Sequence, residues 1–134
     1  LTKAGYGKRS DPVFIQSFSA DSLKRIHGLR PELPLVQLIA ASDPVPDEAA
    51  LDEISTYAVA IGPPKTTVDA ALVERANDRC LDVHPYTVKP EEMAALLDAG
   101  VGAMFTNEPD ALVEARKAAP ERPDLCLAPA TAED

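Results

Sequence analysis

Uncharged polar side chains collect at the ends of the short apolar runs in this sequence. In an α/β protein with parallel strands, ligands bind at the carboxyl ends of the strands, so chemistry is expected at these positions. A single cation, Lys65, follows the third run. Amides, hydroxyls and an aromatic ring in this setting favour a small polar ligand such as a polyol. The polar and aromatic positions are Gln16, Ser17, Phe18, Gln37, His84, Tyr86, Thr87, Thr106 and Asn107.

None of these positions belongs to a recognisable catalytic set. His84 has no evident Asp or Ser partner in the sequence, so packing or a structural hydrogen bond competes with a direct role. Tyr86 shares a face with His84 by strand alternation and suits either the core or a ligand platform. Ser17 lacks the GxSxG context of a nucleophile. The acidic pairs at 47–48 and 91–92 are interpreted as caps in first helical turns. The residues therefore predict a pocket wall without catalytic machinery.

Composition excludes several classes of partner. The net charge is −9 and the pI is about 4.6, whereas binding to nucleic acid or to an anionic membrane surface requires clustered Lys and Arg. No apolar run approaches the roughly 20 residues that a membrane-spanning helix needs. The two cysteines, Cys80 and Cys126, lie in no CxxC or Cys/His cluster, so a zinc site is not expected. A disulfide between them and two free thiols are both compatible with the sequence.

Candidate strands and helices alternate along the chain. Runs rich in β-branched and apolar residues predict strands, and apolar residues at helical spacing between caps predict helices. Residues 1–119 form the predicted domain, and the Pro- and Ala-rich segment 120–134 is a predicted loose tail. The predicted strands are 13–18, 34–39, 58–62, 81–88 and 101–107, and the predicted helices are 19–29, which Gly28 could stop, 47–57, 67–80, 89–100 and 108–119.

A strand followed by a helix five times over predicts an α/β fold with parallel strands joined by crossover helices. Two architectures compete: an open doubly wound sheet and part of a (β/α)8 barrel. A complete barrel needs about 250 residues, so this chain holds little more than half of one. The opening LTKAGYG is similar to the last turn of a helix with a glycine cap, and we expect an upstream part of the protein to be missing.

Three segments together resemble the C-terminal half of the glycerophosphodiester phosphodiesterase family, over about residues 5–116. They are DPVFIQSFSADSLKRI, LPLVQLI and LDVHPYTVKPEEMAALLDAGVGAMFTNEPDAL. The resemblance implies the C-terminal half of a TIM-type (β/α)8 barrel. It also implies hydrolysis of glycerophosphodiesters to sn-glycerol 3-phosphate and an alcohol. The family uses a divalent metal, calcium or magnesium, and a pair of histidines for acid–base catalysis.

The resemblance assigns this chain a substrate-binding wall and no catalytic or metal-binding residue. The metal ligands and both catalytic histidines belong to the family's N-terminal half, and the HRG and HD motifs do not occur here. His84 matches neither histidine and is assigned to the wall. Two local departures, VKPEEM and Gly102-Ala103, affect turns near the rim. The implied substrate-binding residues are Ser17, Phe18, His84, Tyr86, Thr106 and Asn107, with Thr87 beside them.

Three hypotheses follow. The first is a part of a glycerophosphodiester phosphodiesterase that is inactive alone; its first strand would have an open edge, to be covered by the missing half or by a second copy. The second is a non-catalytic half-barrel module that binds a small polyol or a partner chain. The third, a flavodoxin-like domain, is disfavoured because no phosphate-binding loop is present. Similarity to the larger, often exported bacterial enzymes implies export as one localisation.

Overall fold

The computed structural model describes residues 13–121 and shows a parallel α/β fold. Four strands form one sheet in the order β1-β2-β3-β4, with every neighbouring pair parallel. A 3₁₀ turn, Lys65–Thr67, follows β3. The strands are β1 Ile15–Ser17, β2 Leu35–Leu38, β3 Ala60–Gly62 and β4 Asp82–Val83, and the helices are α1 Ala20–Leu29, α2 Glu48–Ser55, α3 Ala70–Asn77, α4 Pro90–Ala99 and α5 Pro109–Ala118. The predicted alternation is confirmed for the first four strands, whereas the predicted fifth strand, 101–107, is not a regular strand.

The two faces of the sheet have different neighbours. Successive side chains of a strand point to opposite faces, so every second residue belongs to the helix-covered face. That face supplies Leu35, Ile61 and Val83, which are fully buried against helix residues such as Leu23 and Leu72. The opposite face, called the inner face below, is defined by the residues that pair across all four strands: Gln16, Val36, Ala60 and Asp82.

Local hydrogen bonds begin and end the helices where the sequence predicts. Ser19 caps α1 by accepting from the Ser22 backbone N–H at 3.2 Å, and Asp47 caps α2 by accepting from Ala50 at 2.8 Å. Gly100 ends α4 with a φ of 100°, a left-handed conformation that glycine adopts without strain. Gly28, the predicted end of α1, instead lies within the helix.

Two predicted strands are shorter or less regular than expected. The run 81–88 forms only Asp82–Val83 as a strand, because Pro85 has no N–H to donate to the ladder. The segment 101–107 is not a regular strand. It lies beside β4 through separated hydrogen bonds: Gly102 donates to the Val83 carbonyl at 3.2 Å and Phe105 to the Pro85 carbonyl at 2.9 Å.

Three further findings bear on the sequence predictions. Cys80 is disulfide-bonded, and Cys126 lies outside the described residues, as do the predicted tail beyond 121 and the opening segment. Cys80 adopts a positive φ of 62°. Within residues 13–121, no helix is long and apolar enough to cross a membrane.

Candidate functional site: an aromatic wall at the carboxyl ends of the strands

Two aromatic contacts join the first and last strands across the inner face. Phe14 meets the His84 ring edge-on with centroids 5.3 Å apart, and Phe18 meets Tyr86 edge-on at 6.2 Å. In a flat sheet, β1 and β4 would be separated by three strand spacings, about 14 Å. The contacts therefore require a sheet that curls strongly around its inner face, as in a barrel. Edge-to-face packing at these distances is favourable for aromatic rings.

Tyr86 is held at the rim by both its side chain and its backbone. The hydroxyl donates to the Ile39 backbone carbonyl at 2.5 Å. The Tyr86 N–H donates to the Pro63 carbonyl at 3.1 Å, and its own carbonyl accepts from Lys65 at 2.8 Å. Because its hydroxyl is occupied, Tyr86 presents its ring rather than a proton donor to a ligand.

His84 lies deeper and is 4% exposed. Its Nε2 lies 3.3 Å from Asp82 Oδ2, and Asp82 Oδ1 accepts from the Val83 backbone N–H at 2.9 Å. Asp82 was not predicted from the sequence as the partner of His84, although strand alternation places residues 82 and 84 on one face. The geometry gives His84 a structural hydrogen bond and an aromatic neighbour, Phe14.

Gly102 packs directly against this pair. A Cβ built on Gly102 would lie 1.8 Å from Asp82 Oδ2, so only glycine fits beside the carboxylate. The departure from the family pattern at Gly102-Ala103 therefore has a local physical reason. The carboxylate cannot simply turn away, because it is held by the Val83 N–H and lies next to His84.

Gln37 lies on the helix-covered face and not among the ligand-facing groups. Its Nε2 donates to the Phe18 and Leu38 carbonyls at 3.2 and 3.1 Å, and its Oε1 accepts from the Tyr57 hydroxyl at 2.6 Å. Burial raises the pKa of Tyr57, and the Glu53 carboxylate raises it further, so the phenol stays a proton donor. Gln37 therefore fastens the carboxyl end of β1 to β2 and α2.

The remaining predicted positions shape the rim. Ser17 Oγ accepts from the Ser19 backbone N–H at 3.0 Å, and Thr106 Oγ1 accepts from the Glu108 N–H at 3.1 Å, so both hydroxyls order turns that follow strand ends. Asn107 is exposed. Lys65, the cation that follows the third run, pairs with Glu92 at 2.7 Å.

Glu92 also confirms the prediction of a cap at residues 91–92. Its Oε1 accepts from the Lys89 backbone N–H at 2.9 Å. The hydrogen bond from Lys65, and after it the one from Lys89, lower the pKa of Glu92 below its usual value. A carboxylate with two donors is kept ionised, so this group stabilises the β3–α4 rim and does not act as a proton donor.

The described residues do not fit a metal centre. Among residues 13–121, no group of three or more His, Cys, Asp or Glu side chains could hold an ion. The contact of His84 with Asp82 lies beside the phenyl ring of Phe14, and His84 is buried.

Comparison with known proteins places the chain in a family. The model of the Glycerophosphoryl diester phosphodiesterase family matches residues 2–111. The chain belongs to this family. It is 45% identical over 115 residues to the Glycerophosphodiester phosphodiesterase of Bacillus subtilis (strain 168), covering 83% of this chain and 39% of that protein. It is 30% identical, over an alignment of 162 positions, to the protein of the same name from Haemophilus influenzae. That alignment covers 85% of this chain and 44% of the relative.

A solved structure matches the fold of this chain. It is an Oleispira antarctica phosphodiesterase in complex with the product sn-glycerol-3-phosphate, with a TM-score of 0.69 and 19% identity. The match covers 81% of this chain and 43% of that one. This chain thus has the architecture of part of a TIM-type barrel. It spans less than half the length of each of these three relatives.

Proposed function

We propose that this chain forms the C-terminal half of a glycerophosphodiester phosphodiesterase barrel. In this proposal, Phe18 and Tyr86 form the wall beside the glycerol group of the substrate. The observation that carries the proposal is the contact of these two rings at the carboxyl ends of β1 and β4. This end of a parallel barrel is where ligands bind. Family membership and the names of the relatives support the activity.

The proposed reaction is hydrolysis of a phosphodiester. A water oxygen bonds to phosphorus, the bond from phosphorus to the alcohol oxygen breaks, and the alcohol leaves with a proton. The products are sn-glycerol 3-phosphate and the alcohol. In this chain, the rings of Phe18 and Tyr86 contact the carbon backbone of glycerol, and the exposed amide of Asn107 is available to a glycerol hydroxyl. Ser17, Thr106 and His84 support the wall through the turns and the Asp82 contact described above.

The proton transfers and the metal are proposed to belong to residues outside this chain. The family generally binds a divalent metal, and we propose calcium or magnesium. When bound, such an ion would stabilise charge on the phosphate oxygens. The chain alone is accordingly proposed to be inactive.

The inner face needs a cover in the complete protein. Phe14 and Phe18 are 56% and 58% exposed on it. Burying large aromatic surface is favourable at about 25 cal/mol per Å². We propose that the other half of the barrel, or a second copy of this chain, covers the face. A non-catalytic module that binds a polyol is the second candidate, favoured by the aromatic wall that Phe18 and Tyr86 form.

The experiment combines turnover with binding. Hydrolysis of glycerophosphocholine by the purified 134-residue chain is assayed with calcium or magnesium and with EDTA, after a mass check. We expect no turnover. sn-Glycerol 3-phosphate is then titrated into the ¹⁵N-labelled chain, and we expect saturable shifts at the Tyr86 and Thr106 amides. Tyr86→Ala should weaken this binding, whereas Asp98→Asn on the far helix should not. Metal-dependent turnover would refute inactivity, and binding without any shift at the rim would refute the assigned wall.

A further inference from the structure

A pocket lies at the opposite end of the sheet from the aromatic wall. Its volume is about 260 Å³. Leu33 and Val59 line it just before β2 and β3 begin, and Cys80 lines it just before β4 begins. The volume lies below the range of small-molecule pockets, about 300–1,000 Å³. A few side chains of a peptide segment therefore fit it better than a cofactor does.

The hydroxyls and the guanidinium of this pocket already have partners within the chain. Ser55 and Thr56 donate their hydroxyl protons to backbone carbonyls of α2 at 2.7 and 2.6 Å. Arg79 pairs with the Asp52 carboxylate and donates to a carbonyl of α3 at 2.9 Å. These groups do not require a charged ligand, and Leu33 adds apolar surface between them. The pocket is thus suited to apolar side chains.

We propose that this pocket receives the chain's own C-terminal segment 125–127, which a disulfide between Cys80 and Cys126 fixes there. Cys80 is disulfide-bonded, and Cys126 is the one other cysteine of the sequence. Leu125 and Leu127 flank Cys126, and they are the only large apolar residues after residue 119. Packing them into the pocket removes apolar surface from water. The proposal does not depend on the proposed phosphodiesterase activity.

The chain leaves α5 at the same end of the sheet as Cys80. In the last turn of α5, Arg116 Nη1 donates to the Gly102 carbonyl at 3.0 Å. Gly102 in turn donates its N–H to the Val83 carbonyl of β4 at 3.2 Å, so this turn of α5 lies near β4. Cys80 lies two residues before β4 begins. Cys126 follows residue 121, the last described one, by five positions, and five residues span up to about 17 Å. A short segment therefore suffices to bring the two cysteines together.

The backbone at Cys80 supports the cross-link independently. Its φ of 62° is left-handed. The Cys80 N–H donates to the Asn77 carbonyl at 3.0 Å, and the Leu81 N–H donates at 2.9 Å to a carbonyl one residue earlier in α3. This hydrogen-bond pattern ends a helix on a left-handed residue, and glycine usually fills that position because other residues are strained there. The proposed bond gives a reason for a side chain at a position that suits glycine.

The proposed bond encloses the last part of the described fold. Its loop of about 45 residues contains β4, α4 and α5, and with them the rim residue Tyr86. Bond formation takes two protons and two electrons from the two thiols and passes them to a disulfide oxidant, which leaves as two thiols. Structural disulfides persist in oxidising compartments, so we expect the protein to fold in one.

The first test maps the bond in the 134-residue chain, purified without reductant. Free thiols are blocked with iodoacetamide, the chain is digested, and the masses of its peptides are measured. We expect no blocked cysteine, one cross-linked pair of peptides that contains Cys80 and Cys126, and a monomer on a non-reducing gel. Two blocked cysteines, or a dimer joined through either cysteine, would overturn the proposal.

The second test measures how much the bond stabilises the fold. Dithiothreitol should lower the melting temperature of the native chain by about 10 °C, as expected when a loop of about 45 residues is opened in a domain of this size. Cys126→Ser should melt at the temperature of the reduced native chain and should not respond to dithiothreitol. Equal melting temperatures of the native chain with and without reductant would contradict a stabilising bond.

The third test asks whether the segment occupies the pocket. In the oxidised native chain, we expect nuclear Overhauser contacts between the methyl groups of Leu125 or Leu127 and those of Leu33 or Val59. Leu127→Ser should lower the melting temperature by about 3–6 °C, whereas Ala130→Ser, outside the segment, should leave it unchanged. If Leu127→Ser does not fold, the contacts in the native chain still decide. An intact bond without these contacts would overturn the assignment of the pocket. None of these measurements uses turnover or sn-glycerol 3-phosphate, so they stand apart from failure of the proposed function.

Discussion

Replacing Gly102 with alanine should destabilise the fold through one carboxylate. The new Cβ would lie 1.8 Å from Asp82 Oδ2, far inside van der Waals contact. Relief requires Asp82 to rotate, which gives up the Val83 hydrogen bond of 2.9 Å and the 3.3 Å contact with His84. Overpacking at well-packed positions costs about 1–3 kcal/mol. A net intramolecular hydrogen bond contributes about 1 kcal/mol, so we expect a loss of about 2 kcal/mol.

The assay is urea unfolding of matched variants, followed by circular dichroism. Gly28→Ala is the control, because Gly28 lies in α1 and a Cβ there meets nothing within 4 Å. That change should stabilise the protein by about 0.5–1 kcal/mol, the helix preference of Ala over Gly. The background Asp82→Ala removes the carboxylate, and there Gly102→Ala should cost almost nothing further. An equal cost in both backgrounds would refute the clash with Asp82 as the cause.

Three more predictions concern residues that fasten the rim. Gln37→Leu should lower the free energy of unfolding by about 1–3 kcal/mol, because it leaves the Tyr57 hydroxyl buried without its acceptor, and the double variant with Tyr57→Phe should recover part of the loss in urea unfolding. In the folded protein, the pKa of Glu92 lies below its usual value of 4.5. The ionised carboxylate therefore stabilises the fold above pH 4.5, and this contribution is lost as the pH falls through the lowered pKa. The melting temperature of the native chain should therefore fall more steeply below pH 4.5 than that of Glu92→Gln or Lys65→Met. Tyr86→Phe should cost about 1 kcal/mol, by loss of one hydrogen bond, and keep the affinity for sn-glycerol 3-phosphate, because the ring remains.

Each of these has a control. An equal loss from Gln37→Leu in the Tyr57→Phe background would show that the pair is not coupled. Glu91→Gln changes an exposed carboxylate on the same helix turn and should keep the native pH profile. If Tyr86→Phe instead lowered the affinity for sn-glycerol 3-phosphate strongly, the Tyr86 hydroxyl would be a group that binds the ligand.

Local features could be predicted from the sequence because a few neighbouring residues determine them. Strands and helices alternate as the apolar periodicity predicts, and the caps at Ser19, Asp47 and Gly100 depend only on residues within one turn. The order of motifs also predicted the family and the partial barrel. Strand regularity was predicted less well, because Pro85 interrupts the ladder of the fourth run and leaves its neighbour 101–107 irregular.

The partners within the site were decided by tertiary structure alone. Phe14 meets His84 across 70 positions only because four strands curl around the inner face. The pleat of β2 directs the Gln37 side chain to Tyr57 on the helix-covered face. A polar residue at a strand end does not by itself indicate which face its side chain occupies. A cavity of about 380 Å³ is lined by Phe18, by the loop after β2 and by α2, which are distant in the sequence. Periodicity and capping act over a few residues of backbone, whereas these contacts depend on sheet curvature and helix packing, which the whole chain sets together.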